Sequence, residues 1–429
     1  MFDRLFALET FGVKLGLENI SRLCAALGHP EQSFISLHVA GTNGKGSVTA
    51  MAHASLVAAD LRAARFVSPH LVDLTERFVI GPEPVDARLL EVVVNDVLDC
   101  ADGLMRSGEL QVHPTFFEAT TAIAFELFRR ASVDVAVIEV GLGGRFDSTN
   151  VVPATVGAIT SIALDHEELL GDTIGSVAFE KAGIIKPGMT VVTGALPSEA
   201  RTVILGVAAS QNARVVDSLA GTRLDSEARD GRATVAVETP VERYGPVTLA
   251  LRGDHQVGNA LVAIRLLECA RTTGLAIPKG AIERGLSEVD WPGRLELIDI
   301  GGEARVLLDA AHNPEGARAL ASYLQRWHPE RPALVLGVMR DKDIGGIVDA
   351  LLPVVSSVIA TAANSPRAMP ARDLAARVAA AGAANVVVEP DPIAAVEQAL
   401  SLSSSVCVAG SIFVVGAVRG RLRRRAILR

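Results

Sequence analysis

Short apolar runs alternate with segments of helical period through the first half of the chain. ISLHVA (Ile35–Ala40), VDVAVIEV (Val133–Val140) and ATVGAITSI (Ala154–Ile162) predict buried strands, and SVTAMAHASLVAA from Ser47 onward predicts a helix. This rhythm specifies a mostly parallel sheet covered by helices. Residues 211–252 change character. RVVDSL, ATVAVE and PVTLAL are short β-like runs separated by Gly, Asp and Pro, and they predict a small antiparallel sheet. A helix follows from about Val257 to Thr273.

WPGR (Trp291–Arg294) reads as a linker, because Pro-Gly ends helices and breaks strands. The α/β rhythm then restarts. ARVLLDAA, PALVLGVM, SVIATAA, NVVVEP and SVCVAG predict strands, separated by the helical segments GARALASYLQRW, IGGIVDALLPVV, ARDLAARVAAAGA and IAAVEQAL. They predict a separate sheet of about five strands with crossover helices, a Rossmann-like domain. The expected fold class is α/β, with residues 1–293 forming one domain and residues 294–429 the other.

A chain of 429 residues is long enough for two or three domains, in agreement with that division. Aromatics make up 4% against 49% hydrophobic residues, so the cores are expected to be built from Ala, Val, Leu and Ile. No apolar stretch reaches the roughly 18–20 residues of a membrane span, and the N-terminus lacks the charged-then-apolar order of a signal peptide. The expected location is the cytoplasm, with no membrane partner. Cys24, Cys100, Cys269 and Cys407 are far apart, form no C-x-x-C pair and read as free thiols. A net charge of −8 argues against general nucleic-acid binding. The C-terminal RGRLRRRAILR reads as a solvated basic helix end.

Gly41-Thr42-Asn43-Gly44-Lys45-Gly46-Ser47 lies between a predicted strand and a predicted helix. Glycines let the backbone wrap a polyphosphate, the helix N-terminus adds partial positive charge, and Lys45 adds a full one. Ser47 offers a hydroxyl to Mg²⁺. The spacing departs from the usual phosphate loop, since Gly46 separates the lysine from the serine. A Gly-rich turn with a surface lysine is the plain alternative. Glu139 ends an apolar strand, where α/β sheets present ligand groups and where packing gives no reason for a carboxylate.

HVAGTNGKGS resembles the nucleotide loop of the folylpolyglutamate and dihydrofolate synthases, members of the Mur ligase superfamily. SPHLVDLTERFVI (Ser68–Ile80), TFFE (Thr115–Glu118), EVGLGGRFDSTN (Glu139–Asn150), LDH (Leu164–His166) and EKAGIIKPG (Glu180–Gly188) continue the match. LRGDHQVGNA, WPGRLE, LDAAHNPEGA, DKD and GSIF follow in family order to the C-terminal helix. Two positions depart from it: Ala310 stands where Gly is commoner, and Ala417 where Glu is frequent.

The resemblance implies ATP and Mg²⁺, with room for K⁺, and metal ligands Ser47, Ser68, Glu139 and His166. It implies a carbamylated Lys181, whose plain alternative is an ion-pair partner. It assigns nucleotide contacts to Thr42, Asn43, Gly44, Lys45, Gly46, Ser47, Asn259, Arg294 and Asp309, with His312 and Asn313 toward the phosphates. For those last two, capping a helix is an alternative compatible with that role. Pterin contacts fall on Thr115, Phe116, Phe117, Glu118, Phe146, Asp147 and Ser148. Glu118 also reads as a helix N-terminal acid, and Arg145 as either an anion anchor or a structural ion pair.

The implied catalytic set is Lys45, Glu139, His166, Lys181 and His312. The implied reaction passes the γ-phosphoryl of ATP to a pterin carboxylate, and the amine of L-glutamate then displaces phosphate. The expected partners are these small molecules alone, bound by a monomer. A cell-wall Mur ligase is the near alternative, disfavoured because no sugar-nucleotide domain precedes the loop. A non-ligating nucleotide switch is the other, disfavoured by an intact Lys45, Glu139 and His166.

Overall fold

The computed structural model describes residues 2–12, 16–302 and 304–427, so Met1 and the last two residues of the basic C-terminal run lie outside it. Eight strands form the first sheet. They are β1 (Ile35–Ala40), β2 (Ala63–Phe66), β3 (Phe78–Ile80), β4 (Glu83–Pro84), β5 (Val135–Glu139), β6 (Val156–Ile159), β7 (Thr190–Thr193) and β8 (Arg214–Asp217). Their order is β4-β3-β2-β5-β1-β6-β7-β8, parallel from β2 to β8 and antiparallel at β3 and β4. β1 is buried along nearly its whole length between β5 and β6, Ser36 and His38 included. The register pairs Val39 with Glu139, so the strand ends carrying the Gly-rich loop and the carboxylate lie side by side.

RVVDSL does not belong to the small sheet. Arg214–Asp217 pairs in parallel with β7 at the edge of the large sheet. The small sheet has three strands, β9 (Arg223–Arg229), β10 (Arg232–Glu238) and β11 (Arg243–Arg252), in the order β11-β10-β9. β9 is almost wholly exposed and has no apolar alternation to announce it.

The third sheet has six strands rather than five: β12 (Glu296–Asp299), β13 (Arg305–Leu308), β14 (Ala333–Leu336), β15 (Ser357–Ala360), β16 (Val386–Val388) and β17 (Ser405–Ala409). The order is β12-β13-β17-β14-β15-β16, with β12 as an antiparallel edge on a parallel sheet. Arg419 and Arg423, from the helix Ile412–Ile427, both pair with Glu296 on β12, at 2.8 and 2.7 Å. That helix end is therefore not simply solvated: two of its arginines tie it to the sheet edge.

Two compact units result. One holds Met1–Asp225, Val235–Val247 and Gly258–Val289; the other holds Ser226–Thr234, Thr248–Val257 and Asp290–Arg429. Phenylalanines concentrate in one core of the first unit, where Phe34, Phe66, Phe78, Phe125 and Phe128 are buried together. The core of the second unit is built on Leu, Ile, Val and Ala and buries no phenylalanine. All four cysteines are free thiols, two of them buried. Among the described residues no helix is long and apolar enough to cross a membrane.

Candidate active site

β1 runs into Gly41–Gly44, and the helix Lys45–Ala58 begins directly after it. The loop is pinned to the residues following β6. Thr42 N–H donates to Ser161 O at 2.8 Å, and its hydroxyl donates to Ala163 O at 3.1 Å while accepting from Ala163 N–H at 3.0 Å. Asn43 N–H donates to Ser161 Oγ at 3.0 Å, and Thr160 Oγ donates to Asn43 O at 2.6 Å. Two glycines are obligatory. A Cβ on Gly41 would fall on Thr160 Oγ, and one on Gly44, which has φ +85°, would fall on the Asn259 side-chain oxygen. The structure thus places Asn259 directly against the loop, 215 positions away in sequence.

Two lysine side chains converge on this turn. Lys45 Nζ donates to Gly41 O at 2.9 Å and Thr42 O at 3.0 Å, and Lys181 Nζ reaches Gly41 O at 3.0 Å. Burial, reinforced by the Lys45 charge, pulls the Lys181 pKa down to about 7. Gly46 and Ser47 lie in the first helical turn, with Ser47 buried.

Glu139, at the end of β5, is buried and accepts a long 3.4 Å bond from Ser68 N–H. His166 stands in a left-handed conformation at the head of a short helix, its Nε2 3.9 Å from Asp165. Sequence reasoning passed over Arg77. It is buried, donates from Nε to His70 Nδ1 at 2.9 Å, and has its pKa lowered to about 10 by desolvation, against the opposing charges of Glu9 and Glu139. A buried arginine coupled to Glu139 was visible only as a letter of the ERF segment.

The expected pterin residues divide. Thr115 and Glu118 form a reciprocal capping box, Glu118 N–H to Thr115 Oγ at 3.2 Å and Thr115 N–H to Glu118 Oε2 at 2.7 Å. Glu118 thus caps the helix through Oε2, while its Oε1 is buried without a hydrogen-bond partner among the described residues. Phe117 lies where a Cβ on Gly141 would go, and Phe116 stacks on Phe6 at 5.8 Å. Asp147 is buried and accepts from Leu142 N–H at 2.8 Å, Thr149 N–H at 3.0 Å and the Thr149 hydroxyl, capping the turn that starts at Ser148. Phe146 is exposed beside it.

The second unit holds Arg294, Asp309, His312 and Asn313. Both oxygens of buried Asp309 accept backbone N–H groups, Leu295 and Ala311 at 2.9 Å each. Burial raises its pKa, opposed by Arg294 and His255. His312 Nδ1 contacts Ala310 O at 2.9 Å, which makes Nδ1 the protonated nitrogen. Asn313 caps the helix Pro314–Trp327 through Gly316 N–H at 2.8 Å.

The Mur ligase, glutamate ligase domain matches residues 293–412. That match gives the second unit the glutamate ligase domain of the Mur ligases. The dihydrofolate synthase/folylpolyglutamate synthase of Bacillus subtilis is 35% identical over 96% of this chain and 96% of its own length. The one from Mycobacterium tuberculosis is 38% identical over 84% of this chain and 76% of its own. The chain belongs to the dihydrofolate synthase/folylpolyglutamate synthase family. Solved structures agree. Folylpolyglutamate synthase of Mycobacterium tuberculosis, complexed with ADP and AMPPCP, superposes with a TM-score of 0.91 at 33% identity, covering 97% of this chain and 98% of that one. The Escherichia coli FolC complex with DHPP and ADP gives 0.87 at 29%, covering 98% and 97%.

Proposed function

We propose that this chain uses ATP to join L-glutamate to a pterin-type carboxylic acid, at the loop after β1. The observation that carries the reading is the convergence of Lys45 and Lys181 on Gly41, at a strand-to-helix turn in a chain of this family. Amide formation from a carboxylate is uphill in water. The terminal phosphoryl of ATP therefore goes first to the acid. The amine of glutamate then attacks the acyl carbon, phosphate leaves with one carboxylate oxygen, and a proton is released. Lys45 stabilises the charge that develops on the phosphoryl group. Arg294, Asp309 and His312 are nucleotide contacts in this reading, as is Asn259, which lies against the loop.

The residues suit Mg²⁺. Glu139 is a buried oxygen donor at a strand end, and no three His, Cys, Asp or Glu side chains form a metal cluster among the described residues. A buried carboxylate is the kind of oxygen donor a hard cation takes. Glu139, His166, Ser68 and Ser47 would hold it, and it would supply charge neutralisation when bound. Thr115, Phe116, Phe117, Glu118, Phe146, Asp147 and Ser148 are the pterin contacts in this reading.

Lys181 suits a carbamate. A pKa of about 7 leaves much of the amine neutral near pH 7, where an ordinary lysine is neutral in roughly one molecule in a few thousand. The neutral amine adds CO₂ and releases a proton, and the resulting anion would neighbour Lys45. NMR after equilibration with ¹³C-bicarbonate is expected to show a carbamate signal that fades as pH falls below about 7 and is missing in Lys181→Met. An identical spectrum from the variant would contradict this assignment. The ligase reading itself is tested by assaying dihydropteroate and tetrahydrofolate side by side. Phosphate release that requires both acid and glutamate supports it, and release indifferent to glutamate rejects it.

A further inference from the structure

The side chain of Arg145 is held from three sides. Nε and Nη2 donate to Glu180 at 3.3 and 2.5 Å, and the guanidinium carbon lies 4.2 Å from the Phe146 ring centroid and 5.1 Å from that of Phe179. The backbone is fixed as well. Arg145 N–H donates to Glu180 O at 2.8 Å, and its carbonyl accepts from Asn150 Nδ2 at 3.1 Å. A Cβ on Gly183 would collide with Arg145, so loop and helix meet with no gap.

This cation is open on one side. Among the described residues Nη1 has no hydrogen-bond partner, and the Arg145 side chain is 42% exposed against 19% for Glu180. Phe146 and Phe179 are themselves exposed. An ion pair meant only to pin the loop would need no phenyl rings flanking it in solvent. A guanidinium fork already immobilised, with donors outward and aromatic faces beside it, is prepared for a planar carboxylate on a partly apolar molecule. Its position also fits the reaction. Arg145 follows β5 by a short loop, and the helix Ile174–Ala182 that supplies Glu180 and Phe179 also supplies Lys181 to Gly41.

We propose that Arg145, walled by Phe146 and Phe179, receives the non-reacting carboxylate of an acid substrate that already carries a glutamyl residue. The proposal rests on the ligase reading above and assigns Arg145 a role in substrate choice. A pteroate-type acid has one carboxylate, the one that reacts; its monoglutamyl counterpart has a second. Glu180 partly compensates the guanidinium charge, so the effect is selective rather than absolute.

The test is steady-state kinetics of Arg145→Gln with both acids at saturating ATP and glutamate. The KM of the glutamyl acid is expected to rise about tenfold more than that of the pteroate acid, as for one lost charge-assisted hydrogen bond, with kcat moving less than KM. Arg145→Lys should recover part of the difference. Equal rises for both acids, a rise confined to the KM of glutamate, or no rise would each overturn the proposal. So would a wild-type protein that ligates only the pteroate acid. If Arg145→Gln does not fold, Phe179→Leu leaves the ion pair intact and must show the same bias. Failure of the ligase reading is distinguishable: wild type would then release no glutamate-dependent phosphate from either acid.

Discussion

The turns after β1 and β13 both lead from the end of a buried parallel strand into a helix of 14 residues, and they are finished in opposite ways. In the first unit Gly44 is the N-cap, left-handed, and no side chain caps the helix Lys45–Ala58. In the second, Asn313 caps the helix Pro314–Trp327 and proline occupies its first position. The carboxylates differ in the same sense. Both oxygens of Asp309 accept backbone N–H groups at 2.9 Å, whereas the charge of Glu139 acts on the buried Arg77 guanidinium. A helix end the protein caps itself is closed by its own chemistry. One left uncapped beside lysines suits a bound anion. The difference lies in the helix ends: the one after β13 is closed by a side-chain cap, and the one after β1 leaves its first N–H groups to a bound group.

The sharpest way to break the comparison is Lys45→Ala. Turnover is expected to fall by at least ~10²-fold with the fold retained, because a charge aimed at the transferred phosphoryl is lost. Near-normal turnover in a folded variant would remove the loop from the reaction. Next comes Glu139→Gln, which is expected to raise the Mg²⁺ concentration for half-maximal activity by roughly tenfold, since an amide lacks the charge a hard cation favours. An unchanged Mg²⁺ titration would remove Glu139 from the metal site. The smallest effect belongs to the second turn. Asn313→Ala is expected to cost about 1 kcal/mol of unfolding free energy in denaturant melts, as for any lost N-cap. No loss of stability would show that the cap contributes nothing there.

The Gly-rich loop, Glu139 and the restart of the α/β rhythm after WPGR were legible because each is local: glycine, lysine and strand period announce themselves within a dozen residues. What was not legible depended on partners far along the chain. Arg214–Asp217 was read with the small sheet because its neighbours are Gly, Asp and polar residues, yet tertiary pairing with β7 decides its place. β9 carries charged and polar residues on both faces and pairs only because β10 offers an edge. β12 was hidden by the linker it follows. The aromatic content, low when averaged over the chain, concealed that five phenylalanines share one core. In the site, the contacts Lys181–Gly41 and Asn259–Gly44 join motifs that no spacing rule relates.

The central claim is that an acid is activated by phosphoryl transfer before glutamate attacks. Supplying the pterin acid with ¹⁸O in its reacting carboxylate, and following released phosphate by ³¹P NMR or mass spectrometry, tests it directly. The account predicts that each phosphate released during amide formation carries one carboxylate oxygen from the acid. Amide product accompanied by unlabelled phosphate would contradict it.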